Sequence, residues 1–173
     1  MTTTEDASVT ECVIEAEGWS AIADLEALAE RAARAALAEA GVSAEGREIA
    51  ILFADDDALA ALNAQFRGKP APTNVLSWPA HSLRPPAPGR APPPPPAAAP
   101  FGGALGDVAL GFGTVAKEAQ LRDLALGAHV AHLIAHGVLH LLGYDHVDDA
   151  DAALMEAAER RALARIGVRD PYE

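Results

Sequence analysis

The chain has 173 residues, 50% of them hydrophobic, enough to bury one core and too few for two domains of ordinary size. A lone cysteine, Cys12, excludes an internal disulfide and any Cys-x-x-Cys site, so it is read as packing. The net charge of −12 weighs against a general nucleic-acid binder, because phosphate affinity comes from Lys and Arg.

That charge is unevenly spread. Between Asp57 and Asp107 there is no Asp or Glu, while Arg67, Lys69, Arg84 and Arg90 all fall there, so a local anion site is compatible with the acidic whole. The opening MTTTEDASVT has no basic and no apolar leader region. The alanine-rich residues 21–40 are broken by Asp24, Glu26, Glu30, Arg31 and Arg34. Neither secretion nor membrane insertion is expected, and the chain is read as cytoplasmic.

Residues 9–14 read as a first strand. Ser20 is expected to cap a helix with Ile22, Leu25, Leu28 and Ala32 on one side and Gly41 just past its end. Ile49, Ile51 and Phe53 alternate as a half-buried strand, and Asp55 offers an N-cap to a helix facing Leu59, Leu62 and Phe66 inward. After a loop at 68–72, residues 73–78 (TNVLSW) predict a third strand near a sheet edge, stopped by Pro79. Residues 81–103 turn to Pro, Ala and Gly, with Pro92 to Pro96 consecutive; this predicts an extended, partly disordered insertion in which His81 is exposed.

Residues 105–112 predict a fourth strand, and Thr114 is expected to cap a helix running to about Leu124. The next helix, about 127–142, is apolar around much of its girth, with Leu126, Val130, Leu133, Ile134, Val138, Leu139, Leu141 and Leu142, as a buried helix should be. A last helix, about 149–166, has Met155, Ala158, Ala162 and Ile166 on one face and is read as a packing helix only.

Histidines interrupt the buried helix. His136 and His140 are four residues apart, so their rings leave one helix face a turn apart and meet a single ion. Gly143 ends the helix in a left-handed conformation, and the turn brings His146 over the same ion. These intervals match the metzincin signature H-E-x-x-H-x-x-G-x-x-H, but Gly137 stands where the protease keeps its glutamate base. The pattern predicts one zinc per chain on His136, His140 and His146 and disfavours proteolysis. Three neutral imidazoles leave the ion its full charge, suited to activating water and polarising a phosphoryl or carbonyl oxygen. His132 and His129, one and two turns back, are read as structural, and Asp145 either orients an imidazole or is a solvated turn residue.

The run from His136 to His146, HGVLHLLGYDH, resembles the signature H-G-x-L-H-L-x-G-Y-D-H of the YbeY-type endoribonucleases, bacterial rRNA-maturation factors. Leu62-Asn63 with Arg67, then residues 73–79 (TNVLSWP), resemble that family's second block, and residues 105–108 (LGDV) its third. The chain departs in Trp78, where Phe is usual, and in a longer Pro-rich insertion. The resemblance implies a single-strand-specific, metal-dependent endoribonuclease acting in 16S rRNA 3′-end maturation and ribosome quality control. It implies partners in the 16S rRNA precursor and the small ribosomal subunit, zinc on the motif histidines, and Arg67 in the active cleft. Arg67 also has the chemistry for this, since a guanidinium clamps a phosphate by parallel hydrogen bonds.

These readings combine into one α+β domain, 1–173, in which a mixed sheet of about four strands is covered by helices and the zinc-binding helix is central. Arg67, His136 and His140 are the expected catalytic residues, in a cleft between that helix and the TNVLSW strand. Two rivals stand beside the ribonuclease: a zinc peptidase or amidohydrolase, and a non-catalytic ribosome-assembly factor that keeps zinc for folding.

Overall fold

Strands form at Thr10–Ile14 (β1), Glu48–Ala54 (β2), Val75–Pro79 (β3) and Ala104–Gly111 (β4) in this computed structural model, which describes residues 6–173. Residues 1–5, where part of the leader reading falls, lie outside the described residues. The sheet order is β1-β2-β4-β3, with β1, β2 and β4 parallel and β3 antiparallel at the edge. Helices occupy Leu25–Glu39 (α1), Asp56–Arg67 (α2), Phe112–Leu121 (α3), Leu126–Leu141 (α4) and Asp149–Arg165 (α5). The α+β class and the mixed four-stranded sheet read from the sequence are both found. Among the described residues no single helix is long and apolar enough to cross a membrane.

The strand period of two divides the apolar residues between the sheet faces. Ile49, Ile51, Phe53, Val108 and Leu110 belong to the main core with α1, α4 and α5, whereas Ala54, Leu76 and Ala109 meet Leu59 of α2 on the opposite side. Cys12 packs against the main core, and burial pushes its thiol up to about 11, the behaviour of a packing residue rather than a nucleophile.

Two helix starts differ from the sequence reading for one reason: each is set by tertiary contact. Ser20 does not cap α1; residues Glu17–Ala21 form a short 3-10 turn that buries Trp19, and α1 begins after Asp24. The Trp19 indole N–H donates to the Ala54 carbonyl at 2.9 Å, and its ring meets Phe53 and Phe112 edge-on. Nor does Thr114 cap α3, which starts at Phe112; Asp56 of α2 accepts the Thr114 amide at 2.9 Å and brings a carboxylate to the positive helix end. Asp55 does cap α2, accepting the Ala58 amide at 2.8 Å.

The Pro-rich segment, expected to be partly disordered, is tied along its length. Ala80 N–H donates to the Leu105 carbonyl, Gly89 N–H to Asp151 Oδ1, and Arg47 Nη1 to the Gly102 carbonyl. Leu83 and Pro95 are buried. A kinked turn at Ala98–Gly102, with Ala99 extended, leads into β4.

One carboxylate fastens the start of β1. Glu30 of α1 accepts hydrogen bonds from the Val9 and Thr10 amides, the Ser8 and Thr10 hydroxyls and Arg34. Partial burial works against its ionisation, but these donors outweigh it and hold its pKa at about 2, against an ordinary 4.5. Its stabilising effect is therefore complete above about 4.5 and is lost as the pH falls through about 2. Glu30→Gln is expected to destabilise the fold by about 1–3 kcal/mol at pH 7 and to flatten stability against pH between those values. Urea denaturation across that range checks this, and an unchanged profile would remove Glu30 from this role.

Candidate metal centre and cleft

α4 lies close on the sheet because of what it lacks. A Cβ at Gly137 would stand 3.0 Å from Val108 Cγ1 and 3.3 Å from Ser77 Oγ, so the position that carries glutamate in the protease signature faces packed sheet and has no room for a base. The next turns carry His136 and His140, both half-buried at the end of an otherwise apolar helix. Gly143 then reverses the chain at φ +95°, and a Cβ there would overlap the Leu83 carbonyl at 1.9 Å. The reversal brings exposed His146 back: its ring centroid is 5.4 Å from that of His136 and 5.0 Å from that of His140.

One ligand nitrogen from each of the three histidines lies within 4.8 Å of the others. The tautomers follow from the partners. His140 Nδ1 is 2.9 Å from the Tyr144 carbonyl, an acceptor, so Nδ1 carries the proton and Nε2 the lone pair. His136 Nδ1 meets Glu159 Oε1, which puts a proton on Nδ1 and turns Nε2 toward His140. These two Nε2 atoms are 3.0 Å apart. Two bare lone pairs at that distance would repel, so the pair calls for a proton or a metal ion between them. Zn–N bonds of about 2.0–2.1 Å at a tetrahedral angle span about 3.3 Å, close to the spacing present. The donor set therefore fits a divalent ion. Burial, reinforced by the His136 and His146 rings, pushes His140 down to about 4, leaving it neutral at pH 7, the form that ligates.

Glu159 is the residue the sequence reading missed. The sequence marks α5 as a packing helix only, yet Glu159 on it is fully buried and accepts from His136 Nδ1, from His132 Nε2 at 3.2 Å and from the Tyr172 hydroxyl. Burial alone would raise its pKa, but these donors and the nearby His136 hold it at about 2, so it stays a carboxylate. A carboxylate behind a ligating imidazole fixes the ring's tautomer and orientation and raises its basicity. The signal was present in the sequence: Glu159 falls on the Met155–Ala158–Ala162 stripe, where a charge has no solvent to face. His132 thus supports Glu159. His129 is a structural residue, its Nε2 2.8 Å from Glu118 Oε2, and Glu118 also accepts from Asn74 at the head of β3.

Asp145 is a turn residue, accepting the His146 amide at 2.7 Å, and it is the Tyr144 carbonyl that orients His140. Arg67 closes α2, whose end is shaped by Gly68 in the left-handed region and by Asn63, which bonds the Ala71 carbonyl and accepts the Lys69 amide on its own carbonyl. Arg67, Ser77, His140 and His146 line one cleft of about 860 Å³. His81 lies in the same cleft and is half-buried instead of exposed, because the segment after β3 packs back over the metal turn; its Nε2 is sealed from solvent without a partner.

Fold and site together define an α+β protein with a triple-histidine site fit for a metal ion beside an arginine-bearing cleft. The sequence model described as Endoribonuclease YbeY matches residues 14–167, and the chain belongs to that family. The Endoribonuclease YbeY of Cereibacter sphaeroides is 51% identical over 163 residues, 94% of this chain and 97% of that protein. That of Ruegeria pomeroyi is 50% identical over 150 residues, 86% of this chain and 90% of that protein. The solution structure of TM1509 from Thermotoga maritima matches with a TM-score of 0.53 at 20% identity, covering 95% of this chain and 99% of that one, a likeness of fold.

Glu159→Gln should weaken metal binding roughly 10- to 100-fold, since the amide oxygen can serve one set of donors and its NH₂ opposes the other. Competition against a chromophoric chelator, with circular dichroism as the folding control, measures this. Wild-type affinity in a folded variant would take Glu159 out of the site.

Proposed function

We propose that this member of an endoribonuclease family, an RNA-cleaving hydrolase, cuts single-stranded RNA with the help of one zinc ion on His136, His140 and His146. We further propose that it acts in the cytoplasm on the 16S rRNA precursor and small ribosomal subunit, in 3′-end maturation and ribosome quality control, with residues 1–173 working as one domain. The observation that carries the reading is the pair of facing Nε2 atoms of His136 and His140, their rings set by Glu159 and the Tyr144 carbonyl, with His140 and His146 in the same cleft as Arg67.

When bound, a divalent ion lowers the pKa of a coordinated water and polarises a phosphoryl oxygen. The chain's own residues do the rest. Arg67 forms no ion pair or side-chain hydrogen bond among the described residues, so its guanidinium is available to clamp two phosphoryl oxygens and offset the charge that builds on the phosphorane. Glu159, ionised and buried, keeps His136 Nε2 turned toward His140, which lines the cleft and is itself held by the Tyr144 carbonyl, while His136 lies behind the cleft lining. Gly137 supplies no base, which counts against peptide hydrolysis. Two nucleophiles fit, water and the RNA 2′-hydroxyl, and the product ends separate them: a 2′,3′-cyclic phosphate marks the second.

Zinc-loaded protein should cleave an end-labelled single-stranded RNA, and a chelator should abolish cleavage. Arg67→Ala should keep its metal and lose roughly 10²- to 10³-fold in kcat/KM, the cost of removing one donor to transition-state charge. Equal behaviour of the variant and the wild type, both cutting or both inert, would place any activity elsewhere and favour an assembly factor that keeps its metal for folding.

A further inference from the structure

The Pro-rich segment forms part of the cleft wall, and none of its residues is in the histidine cluster. Its Leu83 is buried against Gly143, the turn between His140 and His146, with the Leu83 carbonyl where a Cβ at 143 would stand. Six residues on, Gly89 N–H donates to Asp151 Oδ1 at 2.8 Å, against the first turn of α5. Between these anchors Arg84, Pro85, Pro86 and Pro88 line the same cleft of about 860 Å³ as Arg67, His140 and His146. Proline fixes φ and stiffens this stretch, so a side chain one residue from the Leu83 anchor is held at the rim rather than swung through solvent.

The charges in the cleft are not paired with one another. Asp145 accepts the His146 amide and Asp151 the Gly89 amide, so both acids of the lining are engaged by backbone donors. Arg84, like Arg67, makes no ion pair or side-chain hydrogen bond among the described residues, and it is exposed. In a chain of net charge −12, two guanidiniums without an ion pair among the described residues line one cleft, one from α2 and one from the insertion, and offer two points for the phosphates of a single strand.

We propose that Arg84 is a second phosphate-binding residue, holding a backbone phosphate that neighbours the one at Arg67 and the histidines. The insertion thereby helps to hold and position the strand that enters. This rests on the ribonuclease reading above. Arg84 touches substrate away from the bond that breaks, so it acts on KM and leaves kcat alone.

The test is steady-state cleavage of a labelled single-stranded RNA by zinc-loaded wild type, Arg84→Ala and Arg84→Lys over a series of salt concentrations, with metal content measured for each. Arg84→Ala should raise KM about 5- to 10-fold with kcat within twofold, and should make log(1/KM) against log salt shallower by about 0.7, the share of one phosphate contact on a single strand. Arg84→Lys should keep the wild-type slope. An Arg84→Ala enzyme with wild-type KM and slope overturns the inference alone, and one with lowered kcat or lost metal overturns it in favour of a structural role. A wild type that neither cuts nor binds RNA overturns the ribonuclease reading, and this inference with it.

Discussion

Between α4 and α5, out of reach of solvent, one carboxylate collects hydrogen bonds from His136, His132 and the Tyr172 hydroxyl. A buried charge of this kind is costly unless every lone pair is engaged, and here a helix, its neighbour and the chain's last turn all supply donors. Glu159 thereby joins the packing of α5 on α4 to the aim of a ligand ring. The tail is held in turn by Arg160 over the Tyr172 ring and by Arg122 on the Pro171 carbonyl, so residues far from the cleft contribute to its geometry.

Close approach is the other half of the design. Gly137 lets α4 settle onto Val108 and Ser77, with Ile51, Val108 and Ser77 side by side in register beneath it. A bulkier residue at 137 would lift the helix and carry His136 and His140 away from Arg67. What the protease signature devotes to a base, this chain devotes to packing, and the cleft is left to Arg67, His140 and His146.

The strands, the mixed sheet and the buried helix were legible because periodicity is a local property: Ile49, Ile51 and Phe53 alternate, and Val130, Ile134 and Val138 recur each turn. The histidine cluster was legible for the same reason, since four residues of helix and one glycine turn fix the spacing of His136, His140 and His146. Readings failed where the determinant was distant in sequence. Ser20 and Thr114 look like caps, but Trp19 needs burial against Phe53 and Asp56 reaches Thr114 from another helix. His81 reads as solvent-facing because nothing local reveals that Leu83 is seated on Gly143. Glu159 was passed over in a helix rich in acids and arginines, although its place on the apolar stripe set it apart.

The seat of Leu83 on Gly143 also bears on where this insertion tolerates a change of length. Residues near 83 and 89 are pinned to the ligand turn and to α5, so a change of length there would be transmitted to His146. The stretch from Arg90 toward the buried Pro95 carries no such tie to the ligand turn, and extra residues there lengthen a loop at small entropic cost. Chain added or removed on the far side of Gly89 would therefore leave residues 83–89 in place against Gly143 and α5, whereas the same change between the two anchors would not.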